Sequence, residues 1–268
     1  MKQSFRHRDL SRRIRAVHSM VQHVRKTLFL ILIIGLLSLS ILTATFASAH
    51  NRHKALIPSS LEKLVPTRGG DLQNIESPLT NAGYTITYLA DNQVTVNLLA
   101  TQLNDYDVII WRTNTYDEAH LTYWYVGETT SEATLREYAS DFASRSLDNS
   151  HGIIGANVDF FQNHFERGAL SHVSLVILVA SMSSSIAGFL LNAGVRSVIE
   201  FCGSFSLQFS IVDSITGTLT TYLAEGYNVA DSVLNTLNPH LTTQPRDPLD
   251  SVQIPAIAFT GDGTTTIA

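Results

Sequence analysis

Beyond residue 70 the chain switches repeatedly between two rhythms of apolar residues. Short β-branched runs predict strands, and apolar residues spaced three and four apart predict helices. Leu72–Ala82 reads as a helix that Gly83 ends. Tyr84–Ala90 (YTITYLA) reads as a strand and Val94–Leu103 as a helix, with Asp105-Tyr106 turning the chain. Asp107–Thr113 (DVIIWRT) is a strand with an apolar centre, as expected where both faces of a sheet are covered. Tyr123–Val126 reads as a short extra strand. Thr130–Ser146 reads as one helix capped by Ser131, and Gly152–Asn157 as a strand. Val173–Val179 (VSLVILV) is the strongest strand signal. Ile186–Asn192 is a helix closed by Gly194, and Ser197–Phe201 (SVIEF) a further strand. Ile211–Ala224 and Ala230–Leu237 read as helices on either side of Gly226. Ile254–Phe259 is a last strand, in which Pro255 marks an edge or a strand start.

Strands separated by helices need crossovers, and crossovers build parallel sheets. The expected class is α/β, a three-layer sandwich with a mainly parallel sheet, over residues 71–268. Residues 50–70 are polar and broken by Pro58, Pro66 and Arg68-Gly69-Gly70. They read as a linker with a short helix around Ser60–Val65.

Ahead of this body the pattern is different. Leu28–Leu42 (LFLILIIGLLSLSIL) has no charge, and with its flanks, residues 28–47, it reaches the length that crosses a bilayer. Residues 1–27 carry eight Lys and Arg against Asp9, a net +7, which holds that segment in the cytoplasm and sends the body across. Ala47-Ser48-Ala49 is a small-residue cleavage pattern. Residues 28–47 therefore read as a signal sequence or a single transmembrane helix. The body is expected to be membrane-anchored outside the cytoplasm, or secreted after cleavage near Ala49.

Composition narrows the function. Hydrophobic residues make up 44% and charged residues 15%, which excludes wholesale disorder. The one cysteine, Cys202, excludes an internal disulfide framework. After residue 27 ten basic residues face twenty-two acidic ones, a net −12, so nucleic acid is not an expected partner. No P-loop, dinucleotide fingerprint, metal-spaced His pair or GxSxG elbow occurs. No cofactor and no metal are expected. Ligands of open α/β sheets sit beyond the carboxyl ends of the strands. That rule points to Arg112-Thr113-Asn114, Ala180–Ser184 and Cys202-Gly203-Ser204.

Several segments carry a resemblance, in order. They are AGYTITYLADNQVTVNLLATQLNDYDVIIWRTN, YWYVGE, SLVILVASMSSSIAGFLLNAGVRSVIEFCGSFS, AEGYNVADSVLNTLN and IPAIAFTGDG. Together, over roughly residues 72–263, they resemble the caspase-like fold of the cysteine peptidases, in its gingipain, clostripain and CHAT-type bacterial branch. YWYVGE is similar to a Phe-Thr-Gly-Glu-like segment of related bacterial proteins. The resemblance implies a peptidase fold whose second strand ends in a catalytic His and whose next strand leads into a catalytic Cys. In this chain those two positions fall on Asn114 and Ser181.

A peptidase of this type needs a thiolate and an imidazole. An amide does not move protons near neutral pH, and a serine hydroxyl needs a base. The resemblance therefore implies the fold without the standard activity: a non-catalytic domain that binds a peptide or protein segment. Substitute candidates are His120, six residues past Asn114, and Cys202, at the end of SVIEF. Each also reads as an ordinary residue, His120 as an exposed loop imidazole and Cys202 as a small buried hydrophobe. An active cysteine- or serine-type hydrolase with a rearranged pair is the alternative. Arg112, Glu128, Ser183 and Gly203 are the binding candidates. Tyr123, Trp124 and Tyr125 could line a groove or pack in the core. Asp148 and His151 read as solvated loop residues, and Asp213 as a helix-surface charge.

Overall fold

The computed structural model describes residues 53–60, 62–63, 66–67, 69–180, 184–202, 209–242 and 256–267. Residues 1–52, including the apolar run 28–47, lie outside them. Among the described residues no helix is long and apolar enough to cross a membrane. His53–Ala268 forms one compact unit.

Ten strands are described. They are β1 Lys54–Ser59, β2 Thr85–Ala90, β3 Val108–Arg112, β4 Thr115–Glu118, β5 Leu121–Thr129, β6 Leu147–Asp148, β7 Ile153–Ala156, β8 Leu175–Val179, β9 Ser197–Cys202 and β10 Ala256–Gly261. The helices are α1 Gly69–Asn81, α2 Val96–Thr101, α3 Glu132–Glu137, α4 Ala139–Ser144, α5 Val158–His164, α6 Ser184–Asn192, α7 Phe209–Ala224 and α8 Val229–Thr242.

Six strands form the main sheet in the order β10-β9-β8-β3-β1-β2. The pairs from β2 to β9 are parallel, and β10 runs antiparallel to β9 at the edge. The α/β class with a mainly parallel sheet is thus present. All five residues of β3 are buried, as its apolar centre predicted. Val108 and Ile110 join a core with Ile75 and Leu79 of α1, Val212 and Leu219 of α7 and Val229 of α8. Ile109 and Trp111 join the opposite core with Leu98 of α2, Phe160 and Phe161 of α5 and Ile186 of α6. Period-two alternation on a central strand thus divides the apolar surface between two helical layers.

Several expectations need correction. The stretch read as a linker, 50–70, contains β1, an inner strand between β2 and β3. Pro58 argued against a strand because proline gives no N–H to a ladder. It is tolerated because the β1–β3 ladder pairs Ala55, Leu56 and Ser59 but skips Ile57 and Pro58. Tyr123–Val126 and Gly152–Asn157 were expected as strands, but they belong to a separate antiparallel sheet of order β4-β5-β7-β6. Its inner face adds Trp124, Val126, Leu147, Ile154 and Ala156 to the second core. The single helix predicted over Thr130–Ser146 is two short ones, broken at Tyr138. Ser131 does cap the first, its hydroxyl accepting from the Thr134 N–H at 3.1 Å. Helix α5 was not anticipated. It starts at Asn157, whose side chain accepts from the Asp159 and Phe160 N–H groups.

Helices α1 and α7 pack together, and Gly217 of α7 faces Asn74 of α1. A Cβ there would lie 2.9 Å from the Asn74 Cβ, closer than carbon atoms approach. Pro78 stands one turn after Asn74, so that turn of α1 lacks the N–H that the Asn74 carbonyl would accept. Glycine-to-alanine changes inside helices usually stabilise by about 0.5–1 kcal/mol. Here the helices must part, so Gly217→Ala is expected to cost about 1–2 kcal/mol net. Thermal unfolding would then shift down by about 3–6 °C; an upward shift would mean that α1 yields freely.

Candidate functional site

The main sheet's carboxyl ends bring β1, β3, β8 and β9 to one side. Strands β3 and β8 pair in register, with Arg112 opposite Val179. The Thr113 N–H continues the ladder by donating to the Val179 carbonyl at 3.0 Å. The chain therefore leaves β3 toward Asn114 and β8 toward Ala180 side by side. The Asn114 Oδ1 accepts the Thr115 N–H at 2.9 Å, and its carbonyl accepts the Tyr125 N–H at 3.1 Å. The buried Thr113 hydroxyl donates to the Tyr125 carbonyl at 2.7 Å. These bonds pin the exit of β3 onto β5.

Of the other sequence candidates, Ser181, Ser183 and Gly203 lie outside the described residues. Cys202 ends β9, paired with Ala256 of β10 and one strand beyond β8. His120 lies at the exposed tip of the β4–β5 hairpin, in a left-handed turn with Ala119 at φ 51° and His120 at φ 70°. Extended β4 carries it roughly 15 Å along the hairpin from Asn114. The fold brings the Asn114 position to the end of β8 and does not bring His120 there.

Arg112 is 3% exposed and fully engaged. Its Nε and Nη2 donate to the two carboxylate oxygens of Asp213 on α7, at 2.9 and 3.2 Å. Its Nη1 donates to the Ser59 hydroxyl at 3.3 Å and lies 3.6 Å from Glu62. Asp213, read from sequence as a surface charge, is buried. Burial pushes its carboxyl up from the ordinary value, and the Arg112 bonds and charge oppose that shift. Burial likewise raises the Glu62 carboxyl, but hydrogen bonds from Thr67 and Ser59 outweigh it, and the net direction is down. Asp213 shares a helix stripe with Thr216 and Thr220, all three buried; such a stripe signals burial, but nothing local to it names Arg112 as the partner.

Glu128, the other charged candidate, holds elements together. One carboxylate oxygen accepts the N–H of Val96, the first residue of α2, at 2.8 Å. The other accepts the Thr134 hydroxyl at 2.5 Å. Gly127 beside it has φ 108°, and any Cβ would overlap the Asp91 carbonyl. The Gly-Glu of YWYVGE is thus a staple between β5, the 3-10 turn Asp91–Gln93 and α2. Among the described residues no group of three or more His, Cys, Asp or Glu is arranged to hold a metal ion.

No protein-family model matches the chain, and no curated protein matches it. Among solved structures, the ADP complex of Bacillus subtilis pyridoxal kinase aligns over 70% of this chain and 90% of that one, at 9% identity and a TM-score of 0.29. Likeness at that level says nothing about the fold or activity of this protein.

Removing one partner of a buried, bidentate ion pair strands the other charge. Arg112→Met is expected to cost about 3–5 kcal/mol, lowering the melting temperature by about 10 °C. The double substitution with Asp213→Leu is expected to recover most of that loss, since neither member of the bidentate pair is then left without its partner. Equal melting of the single and double variants would contradict this.

The Glu62 carboxyl has a second, pH-dependent consequence. Its folded pKa is lowered, so its contribution is fully present above the ordinary value near ~4.3 and is lost as the pH falls through the lowered folded value. Glu62→Gln should therefore be less stable than the natural chain at pH 7. The difference should shrink in pH-resolved denaturant titrations as the pH falls below the ordinary carboxyl value and through the lowered one.

Proposed function

We propose that the body is a caspase-like domain that has lost peptide-bond hydrolysis and acts by binding a peptide or protein segment at the strand ends. The observation that carries the reading is the register of β3 on β8. In the resembled family the imidazole follows one of these strands and the thiolate the other. Here the corresponding residues are Asn114 and Ser181. The neighbouring strand exits fit the spatial part of the resemblance, while the residue types withdraw its proton carrier. Further support comes from segment order, since the blocks SLVILV, SVIEF and IPAIAF lie on consecutive strands β8, β9 and β10.

The basic segment 1–27 followed by the uncharged run 28–47 supports a body carried across a membrane, held by an anchor or released. A second reading, an active hydrolase with a rearranged pair, is favoured by Cys202 at the carboxyl end of β9. It ranks lower because the hairpin holds His120 away from the strand ends.

The deciding experiment exposes the full chain, purified in detergent, to a diverse peptide library with cleavage read by mass spectrometry. Cys202→Ala, His120→Ala and Ser181→Ala are run in parallel. The expected outcome is no cleavage by any form, with each shown to be folded by its melting transition. Cleavage that disappears in one variant would name a working nucleophile or base and replace this reading with the second.

A further inference from the structure

The small sheet turns one face into the core and the other outward. Pairing of Tyr116 with Tyr123, Tyr125 with Gly155, and Asp148 with Gly155 puts all five on the outer face. The Tyr116 ring lies across the sheet onto Gly155, where a Cβ would overlap its hydroxyl. Its hydroxyl donates to Asp148 Oδ2 at 2.8 Å. Ser150 donates to the same oxygen from its N–H at 3.1 Å and its hydroxyl at 2.6 Å. Around the Tyr116 ring stand Tyr123 at 5.4 Å, Tyr125 at 4.8 Å and His151 at 4.5 Å between centroids. Tyr123 is buried beneath the group. Tyr116, Tyr125 and Asp148 are part exposed, and His151 is exposed. The residues read from sequence as solvated, Asp148 and His151, are parts of one aromatic and carboxylate surface.

That surface has a definite electrical character. The phenols of Tyr116, Tyr123 and Tyr125 are pushed up first by burial, and the Asp148 charge adds to the shift in each. The Asp148 field therefore reaches all three rings. Asp159 acts on Tyr123 in the same sense, and Arg145 opposes it. Exposed Glu118 stands further along the same face of β4, opposite Leu121. Residues 28–268 carry a net −12. Ring faces are electron-rich and attract cations, most of all flat ones that stack. A carboxylate at the edge of the rings pairs with the same cation. An anionic or purely apolar partner would meet repulsion or a desolvated carboxylate here.

We propose that this face is a docking surface for an arginine side chain of a partner polypeptide, stacked on Tyr125 beside Tyr116 and paired with Asp148. The proposal does not depend on whether the strand ends bind or cleave a peptide. The test uses the full chain in detergent and labelled peptides followed by fluorescence anisotropy. One peptide carries three arginines spaced by Gly-Ser pairs, one carries lysines instead, and one carries citrullines, which keep the shape and lose the charge.

The arginine peptide should bind most tightly, the lysine peptide less so, and the citrulline peptide about tenfold or more weakly. Tyr125→Leu should raise Kd for the arginine peptide about threefold or more, and Asp148→Asn about tenfold. Glu166→Gln removes an equal charge from an exposed position on the loop after α5 and should change Kd little. If Asp148→Asn melts below the assay temperature, Tyr125→Leu decides. No arginine preference over citrulline, no response to Tyr125→Leu, or equal losses in Asp148→Asn and Glu166→Gln would overturn the proposal. Equal losses would mark diffuse attraction to an acidic body.

Discussion

A guanidinium at the end of β3 is almost wholly removed from water, and it is stable there only because Asp213 arrives on α7 to meet it. The pair does more than neutralise two charges. It ties the sheet to the helical layer that covers one face, and it sets the positions of Ser59 and Glu62 at the neighbouring end of β1. Burying two ions is costly, so such a pair earns little net stability, but once formed it makes alternative placements of α7 expensive. The positions of the residues at the ends of β1 and β3 therefore depend on this pair. Arg112 looked like a ligand group from its position after a strand, and its location is indeed at that rim. Its donors are turned inward.

The same logic applies to Glu128. A Gly-Glu pair in an otherwise aromatic strand invites a functional reading. In the fold the glycine lets β5 pass against the turn at Asp91, and the carboxylate satisfies an orphan N–H at the start of α2. Arg112 and Glu128, the two charged residues that stood out in sequence, both make hydrogen bonds within the fold. Among the described residues that follow β3, Thr113 and Asn114 are uncharged. A cluster of part-exposed aromatic and charged side chains lies instead on the outer face of the small sheet, around Tyr116 and Asp148.

How much of this was legible in the sequence depended on the kind of signal. Strands β2, β3, β8 and β9 and the helix closures at Gly83 and Gly194 were readable, because apolar runs and left-handed glycines act locally; both glycines have positive φ. Strand β1 was hidden, since a proline and a polar neighbourhood outweighed three apolar residues, Ala55, Leu56 and Ile57. Only the gap in its ladder with β3 made Pro58 acceptable. The small sheet was half legible: β5 and β7 were seen as strands, but their pairing was not. Asp213 and Asp148 were misread for one reason. Each finds its partner far along the chain, Arg112 and Tyr116 respectively, and no local pattern reports a distant hydrogen bond.

By itself the sequence determined the α/β class, the position of most strands and helices, and the absence of a titratable group at Asn114. Those follow from side-chain chemistry and from periodicities of two and 3.6 residues that need no partner to be read. Tertiary structure decided which strands are neighbours, which charges are buried, and where the solvent-facing aromatic groups collect. Those depend on contacts between residues tens to about a hundred positions apart, such as Arg112 with Asp213 and Tyr116 with Asp148. Whether a charge on a strand or helix faces a ligand or a salt-bridge partner is settled only when the layers close over it.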